Sequence, residues 1–249
     1  MEVSVIPFNE VEVVDKIYTA CRTCYAQGTP QEQYKKTQEE FTGATGWDKK
    51  WKLINHVISS GHHSTLEHVS FTFLISGVSR ALSHQLVRHR IGVSFSQQSQ
   101  RYCKFDTGFD YVIPPSIAKD EELKKKFELY MSSINNMYLE LLNKDNIPAE
   151  DARMVLPNAC CTNLTVSINL RALIHLCQER MCTNAQYEIR TMVKQMAKLI
   201  TDKIPELKPY LVPKCKALGY CNESASRTCG RMPLKEHALA NVYLPSDNN

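Results

Sequence analysis

The stretch VSFTFLISG, residues 69–77, decides the fold class. Val69, Phe71, Phe73 and Ile75 alternate with Ser70, Thr72, Leu74 and Ser76, the period-two pattern of a strand with one buried face. After Gly77 the spacing turns helical through Val78, Ala81, Leu82 and Leu86. Around this strand the chain reads mostly as helix. Val11, Val14, Ile17, Tyr18 and Cys21 recur at helical spacing behind a short strand over Val3–Phe8, and Gln27–Thr45 reads as loop or irregular helix. Trp47–Ser60 is a helix with Gly61 as its terminator. Residues 93–102 and 111–113 read as extended up to Pro114–Pro115. The strongest helix is Glu121–Leu142, with Leu123, Phe127, Tyr130, Ile134, Met137, Tyr138 and Leu141 on one stripe. Pro148 opens a short helix that stops before Pro157. Asn163–Arg180 reads as a further helix, and Thr183 with Gln186 as a capping box for the last one, which ends before Pro205. The pattern predicts an α+β protein, helix-rich around an antiparallel sheet, not a βαβ fold.

The bulk properties narrow the function. The 249 residues are 43% hydrophobic and 22% charged, with a formal net charge of +4. This is ordinary globular composition, and the mild basicity suits anionic substrates better than a nucleic-acid-coating role. No apolar run of ~18 residues predicts a membrane span, and the acidic N-terminus does not resemble a signal peptide. The expectation is a cytoplasmic protein with its ten cysteines reduced. Without repeats or linkers, residues 1–249 read as one catalytic domain, with 206–249 a Cys-containing extension.

Chemistry concentrates in residues 88–102, where Arg88, His89, Arg90 and Arg101 stand among three serines and three glutamines. Arginine forks bind phosphate or carboxylate bidentately, and hydroxyls and amides read polar ring edges. A basic surface patch has the same composition. Arg80, His84 and Arg88 fall on one face of the helix read there. A second cluster, residues 61–68, holds His62, His63, Glu67 and His68, but lacks H-E-x-x-H spacing, and no metal site is expected. A third places Arg171, His175 and Gln178 on one helix face, which a solvated face also explains. Cys215, Cys221 and Cys229 with His237 are spaced atypically for zinc or iron, and packing explains them as well. No G-x-G-x-x-G or Walker A loop occurs.

Arg88-His89-Arg90 followed by Ser99-Gln100-Arg101-Tyr102 resembles the signature of the flavin-dependent thymidylate synthases, R-H-R, a spacer, then S-x-R-Y. The commonest spacer has seven residues; here it has eight, Ile91–Gln98, which leaves open whether Gln97 or Gln98 takes the polar role before the serine. Gly61-His62 through Glu67-His68, Arg153 with Leu156-Pro157, and Asn169-x-Arg171 through His175, Arg180 and Gln186-x-Glu188 resemble three further family blocks in the same order. The resemblance implies an α+β homotetramer with active sites at subunit interfaces. It implies FAD as cofactor, NADPH and methylenetetrahydrofolate as co-substrates, and dUMP as methyl acceptor. It places the cofactor contacts at His62, Ser64, Arg88, His89, Arg90, Gln97, Asn169, Arg171 and His175. It places the substrate contacts at Gln85, Leu86, Val87, Arg88, Gln98, Ser99, Gln100, Arg101, Arg153 and Arg180. Arg180 maps to the catalytic arginine beside the uracil ring, and no cysteine acts as nucleophile. Two other readings are a nucleic-acid-binding protein using the basic run and a hydrolase built on the His62–His68 loop; neither shows a recognised module or ligand spacing.

Overall fold

The computed structural model describes residues 1–39 and 42–240. Their elements are, in order, β1 (Glu2–Val5), α1 (Glu10–Tyr25), α2 (Pro30–Glu39), α3 (Gly43–Ser59), β2 (Ser70–Ser79), α4 (Arg80–Leu86), β3 (Val93–Gln97) and α5 (Pro115–Ala118). After these come α6 (Glu121–Leu142), α7 (Ala149–Ala152), β4 (Cys161–Asn169), α8 (Leu170–Arg180), α9 (Tyr187–Thr201), α10 (Lys214–Leu218) and α11 (Lys235–Ala240), with 3-10 turns at 63–68, 153–155 and 205–207. The fold is α+β, with one antiparallel sheet in the order β1-β2-β4-β3.

Side-chain alternation sets the sheet's register. Phe71, Phe73 and Ile75 are buried while Ser70, Leu74 and Ser76 are exposed, as residues 69–77 predict. At one end Ile6 N–H donates to Thr72 O at 2.8 Å, and the Thr72 and Ser167 hydroxyls meet at 2.9 Å. At the other, Gly77 N–H donates to the Asn163 side-chain oxygen at 3.2 Å and Gln98 N–H to Asn163 O at 3.0 Å.

Several sequence expectations are corrected. Residues 161–169 form a strand: Thr162, Leu164, Val166 and Ile168 are buried in alternation, and the helix begins only at Leu170, capped by Asn169. β2 continues through Val78 to Ser79, so α4 starts at Arg80 and ends at Leu86, leaving Arg88 outside it and the proposed Arg80–His84–Arg88 helix face unformed. The polar stretch after Gln27 contains α2, whose buried residues are Gln33 and Thr37. The Thr183 capping box does not form; Gln186 is itself the N-cap of α9, accepting from Glu188 and Ile189 N–H. Residues 98–102 leave the extended run and turn, and β1 ends at Val5.

The chain divides into two compact units. One comprises residues 1–4, 73–90 and 94–166. Its centre is Phe109, Met131 and Cys160, against which Phe105, Tyr111, Phe127 and Ile134 pack. α6 has the expected bounds, and Asp120 caps it by accepting from Glu122 and Leu123 N–H at 3.0 and 3.1 Å. Its buried face keeps Phe127, Ile134 and Tyr138 of the expected stripe and adds Met131. Met131 and Tyr138 are buried, whereas Leu123, Tyr130 and Met137 face solvent in the protomer.

The other unit holds residues 5–72, 91–93 and the chain from 167 onward. Asn9 caps α1, which packs Val14, Ile17, Tyr18 and Cys21 into the interior beside α2 and α3. Trp51, Ile54, Val57 and Ile58 form the buried face of α3, and Gly61, at φ +83°, turns the chain after it. α8 packs on α9, and Leu173, Leu176, Ile189 and Met192 are fully buried.

Asp15 on α1 and Lys50 on α3 form an ion pair at 2.5 Å, with side chains only 6% and 4% exposed. Removing one partner strands the other's charge in the interior, at a cost of about 3–5 kcal/mol, whereas replacing both with apolar residues is often neutral. Asp15→Ala is therefore expected to lower stability by about that amount in urea titration, and Asp15→Leu with Lys50→Met to recover most of it. An unchanged midpoint for Asp15→Ala would remove the pair as a determinant of this packing.

Candidate functional site

The strand-to-helix junction at Asn169 organises the site in the second unit. Asn169 N–H donates to Gly92 O at 2.9 Å, while its side-chain oxygen accepts from Ala172 N–H at 2.8 Å. The cap fixes where α8 begins and hence which residues share its faces. Leu173, Leu176 and Cys177 turn inward, while Arg171, His175 and Gln178 line a cavity of about 730 Å³. Asn169, Glu67 and His63 add polar groups to its wall, and Leu66, Ile58, Ile91, Ile174 and Tyr210 supply apolar surface. An apolar cavity of this size with a few converging polar groups is the usual form of a cofactor site.

Arg171 is held in place by Glu67, whose carboxylate lies 2.5 Å from the guanidinium across 104 residues of sequence. Both side chains are about half exposed (53% and 46%), so the pair adds little stability by itself and leaves donors available to a ligand. His63 Nε2 lies 3.2 Å from Ile58 O, which orients its ring. Of the other expected residues in this unit, His62 and Ser64 are exposed and lie outside the cavity lining. The His62 ring meets Tyr25 edge to face, with Nδ1 3.3 Å from the Tyr25 hydroxyl. Arg180 closes α8, half-buried, also outside that lining.

In the first unit, residues 49 to 65 positions apart in sequence come together. The Arg101 guanidinium pairs with the Glu150 carboxylate at 2.7 Å, and Arg153 Nε donates to Glu150 O at 3.2 Å. Ser99 Oγ accepts from Arg101 N–H at 3.2 Å, and Gln100, 9% exposed, points its amide at Cys160 Sγ, 3.7 Å away. The two glutamines of the long spacer differ. Gln97 donates to the hydroxyls of Ser83 and Thr162, both at 3.1 Å, whereas Gln98 is exposed and accepts from Asn163 Nδ2 at 2.8 Å. Arg88 and Arg90 are exposed, and His89, Val87 and Gln85 are half-buried. Leu86 is wholly buried, so its side chain belongs to the core and only its backbone can meet a ligand.

Sequence reasoning missed four residues here. Gly92 has φ +69°, and an added Cβ would stand 2.4 Å from Asn169 Nδ2. Glu150 gave no signal beyond an acid in a helix's first turn. Pro209 and Tyr210 line the cavity from the segment read only as an extension. The tail cysteines line a smaller cavity of about 80 Å³ in which Cys182, from after α8, joins Cys215, Cys221 and Cys229, while His237 does not. Hydrogen bonding from the Thr183 side chain lowers the Cys229 thiol's pKa. Among the described residues no three His, Cys, Asp or Glu side chains are placed to hold a metal ion.

The family model described as thymidylate synthase complementing protein matches residues 11–206. The flavin-dependent thymidylate synthase of Nitratidesulfovibrio vulgaris is 44% identical over 232 residues, covering 90% of this chain and 93% of that protein. This chain belongs to the flavin-dependent thymidylate synthases. The family enzyme of Geobacter sulfurreducens is 42% identical over 214 residues, covering 85% and 87% of the two chains. A crystal structure of the Helicobacter pylori family member complexed with FAD and dUMP superposes with a TM-score of 0.65 at 25% identity, covering 85% of this chain and all of that one. The family match ends before Pro209, Tyr210 and the tail cysteines.

Gly92→Ala tests the junction. Left-handed backbone costs a residue with a Cβ about 1–2 kcal/mol, before Asn169 is pushed aside. At roughly 2–4 °C per kcal/mol for a chain of this size, a thermal melt is expected to fall by roughly 2–8 °C. A melt equal to wild type would show that Asn169 does not need the missing side chain.

Proposed function

We propose that this chain reductively methylates dUMP to dTMP, with methylenetetrahydrofolate as carbon donor and FAD, reduced by NADPH, as the redox cofactor. The observation that carries this reading is the placement of Asn169, Arg171 and His175, the three expected flavin contacts on one face of the α8 junction, in the wall of a single 730 Å³ cavity. The cavity fits a flavin: its apolar surface suits a flat ring system, and Arg171, Asn169 and His175 suit the ring's polar edge and the phosphates. Bound there, the flavin supplies the reducing equivalents for the new methyl group.

The protein's residues bind, orient and stabilise charge. The dUMP phosphate brings about two negative charges, and Ser99, Arg101 and Arg153 form a donor set for it, with Glu150 holding both arginines until the anion arrives. The exposed Arg88 adds a further donor, while the exposed Arg90 serves the flavin. Methylation at C5 needs a carbanion-like carbon, and the role the family resemblance gives Arg180 is to stabilise the enolate form of the ring. The cysteines stay out of this chemistry. Burial pushes the Cys177 thiol up to about 12 and the Cys160 thiol up to about 11, so neither supplies a thiolate near neutral pH.

We further propose a homotetramer, one catalytic domain per chain with 206–249 an extension of it, and a cytoplasmic location. The large apolar side chains left exposed on the protomer support assembly, among them Ile91 (91%), Met154 (80%) and Tyr130 (68%). Among the described residues no helix is long and apolar enough to cross a membrane.

The test is release of tritium from C5-labelled dUMP by the purified protein. Release that requires FAD, NADPH and methylenetetrahydrofolate together is expected, and no release from FAD-loaded, folded protein would overturn the reading. Arg180→Ala is expected to lower release about 10²–10³-fold, the usual loss of one charge-stabilising group, with flavin still bound. Wild-type rates in that variant would remove Arg180 from the mechanism.

A further inference from the structure

We propose that Tyr210 is a flavin-binding residue, its ring forming a face of the FAD cavity and stacking on the cofactor's planar ring system. The inference rests on the flavin reading of that cavity. Tyr210 lies beyond residues 11–206, the span the family model covers, yet it lines the same cavity as Arg171 and His175. Among the described residues it is the only carbocyclic aromatic one in the lining. A flat heteroaromatic ring gains most from a flat apolar partner with a fixed orientation, because a preorganised ring loses little freedom on binding.

The ring is held at both ends. Its hydroxyl donates to the Asn55 side-chain oxygen at 2.7 Å, and its backbone N–H donates to Leu207 O at 3.1 Å, where Leu207 is fully buried. Two bonds from different elements fix both the backbone and the phenol tip, so the apolar face between them is set. Burial also raises the pKa of the Tyr210 hydroxyl, keeping it a neutral donor to Asn55. The Lys214–Glu179 pair at 3.6 Å ties the following helix, α10, to α8, which carries Arg171 and His175.

The experiment compares full-length wild type, Tyr210→Leu and Tyr210→Phe, with circular dichroism melts as the folding control. FAD affinity is titrated through flavin fluorescence, and KM for methylenetetrahydrofolate is measured alongside. Tyr210→Leu keeps apolar volume but loses the aromatic face. It is expected to raise the Kd for FAD roughly tenfold to hundredfold, the scale of one lost aromatic stack, and to leave bound flavin less quenched. Tyr210→Phe keeps the ring and is expected to restore both. A Tyr210→Leu protein with wild-type FAD affinity and quenching would overturn the proposal, as would a rise confined to the folate KM. Failure of wild type itself to bind FAD would instead overturn the flavin reading of the cavity.

Discussion

One hydrogen bond at the end of β4 sets the working face of the molecule. The Asn169 side-chain oxygen accepts from Ala172 N–H and so fixes the first turn of α8. A helix advances about 100° per residue, so fixing its first residue fixes the direction of every later one. Arg171, His175 and Gln178 line the cavity, while Leu173, Leu176 and Cys177 enter the core. Gly92 makes the arrangement possible, because only a residue without a Cβ leaves room for the Asn169 amide at this distance. A capping residue, a glycine and three cavity-facing side chains thus form one mechanical unit.

The charges follow a different rule from the core. Asp15 and Lys50 are buried together and hold α1 to α3. Arg171 with Glu67 and Arg101 with Glu150 are about half exposed, and such pairs contribute only ~0–1 kcal/mol each. Their weakness suits a binding site. In the proposed dUMP site the Glu150 carboxylate would keep Arg101 oriented and partly neutralised without ligand, and a phosphate bearing two charges would displace it without a large loss. A fully buried partner would make that exchange too costly.

Legibility along the chain follows the strength of the local signal. α6 is readable to the residue because Asp120 caps an uninterrupted 22-residue helix, yet its stripe is too wide, since periodicity alone does not say that Phe127, Ile134 and Tyr138 turn inward while Leu123, Tyr130 and Met137 face out. β4 reads as helix in the sequence because its alternating Leu164, Val166 and Ile168 run without a turn into Leu170, Leu173 and Leu176, and both periods fit the combined run. α2 reads only as loop or irregular helix in the sequence because it buries Gln33 and Thr37 instead of an apolar stripe.

The sequence by itself determined the α+β class, the family and the ordered blocks carrying the arginines, because alternation, caps and motif spacing are local properties of the chain. Tertiary structure alone decided that Glu150 pairs with Arg101, that Glu67 holds Arg171, that Cys182 joins the tail cysteines, and that Tyr210 walls the cavity. Each of these joins residues with no fixed spacing in sequence. Their proximity arises from how the elements pack, and no periodicity records it.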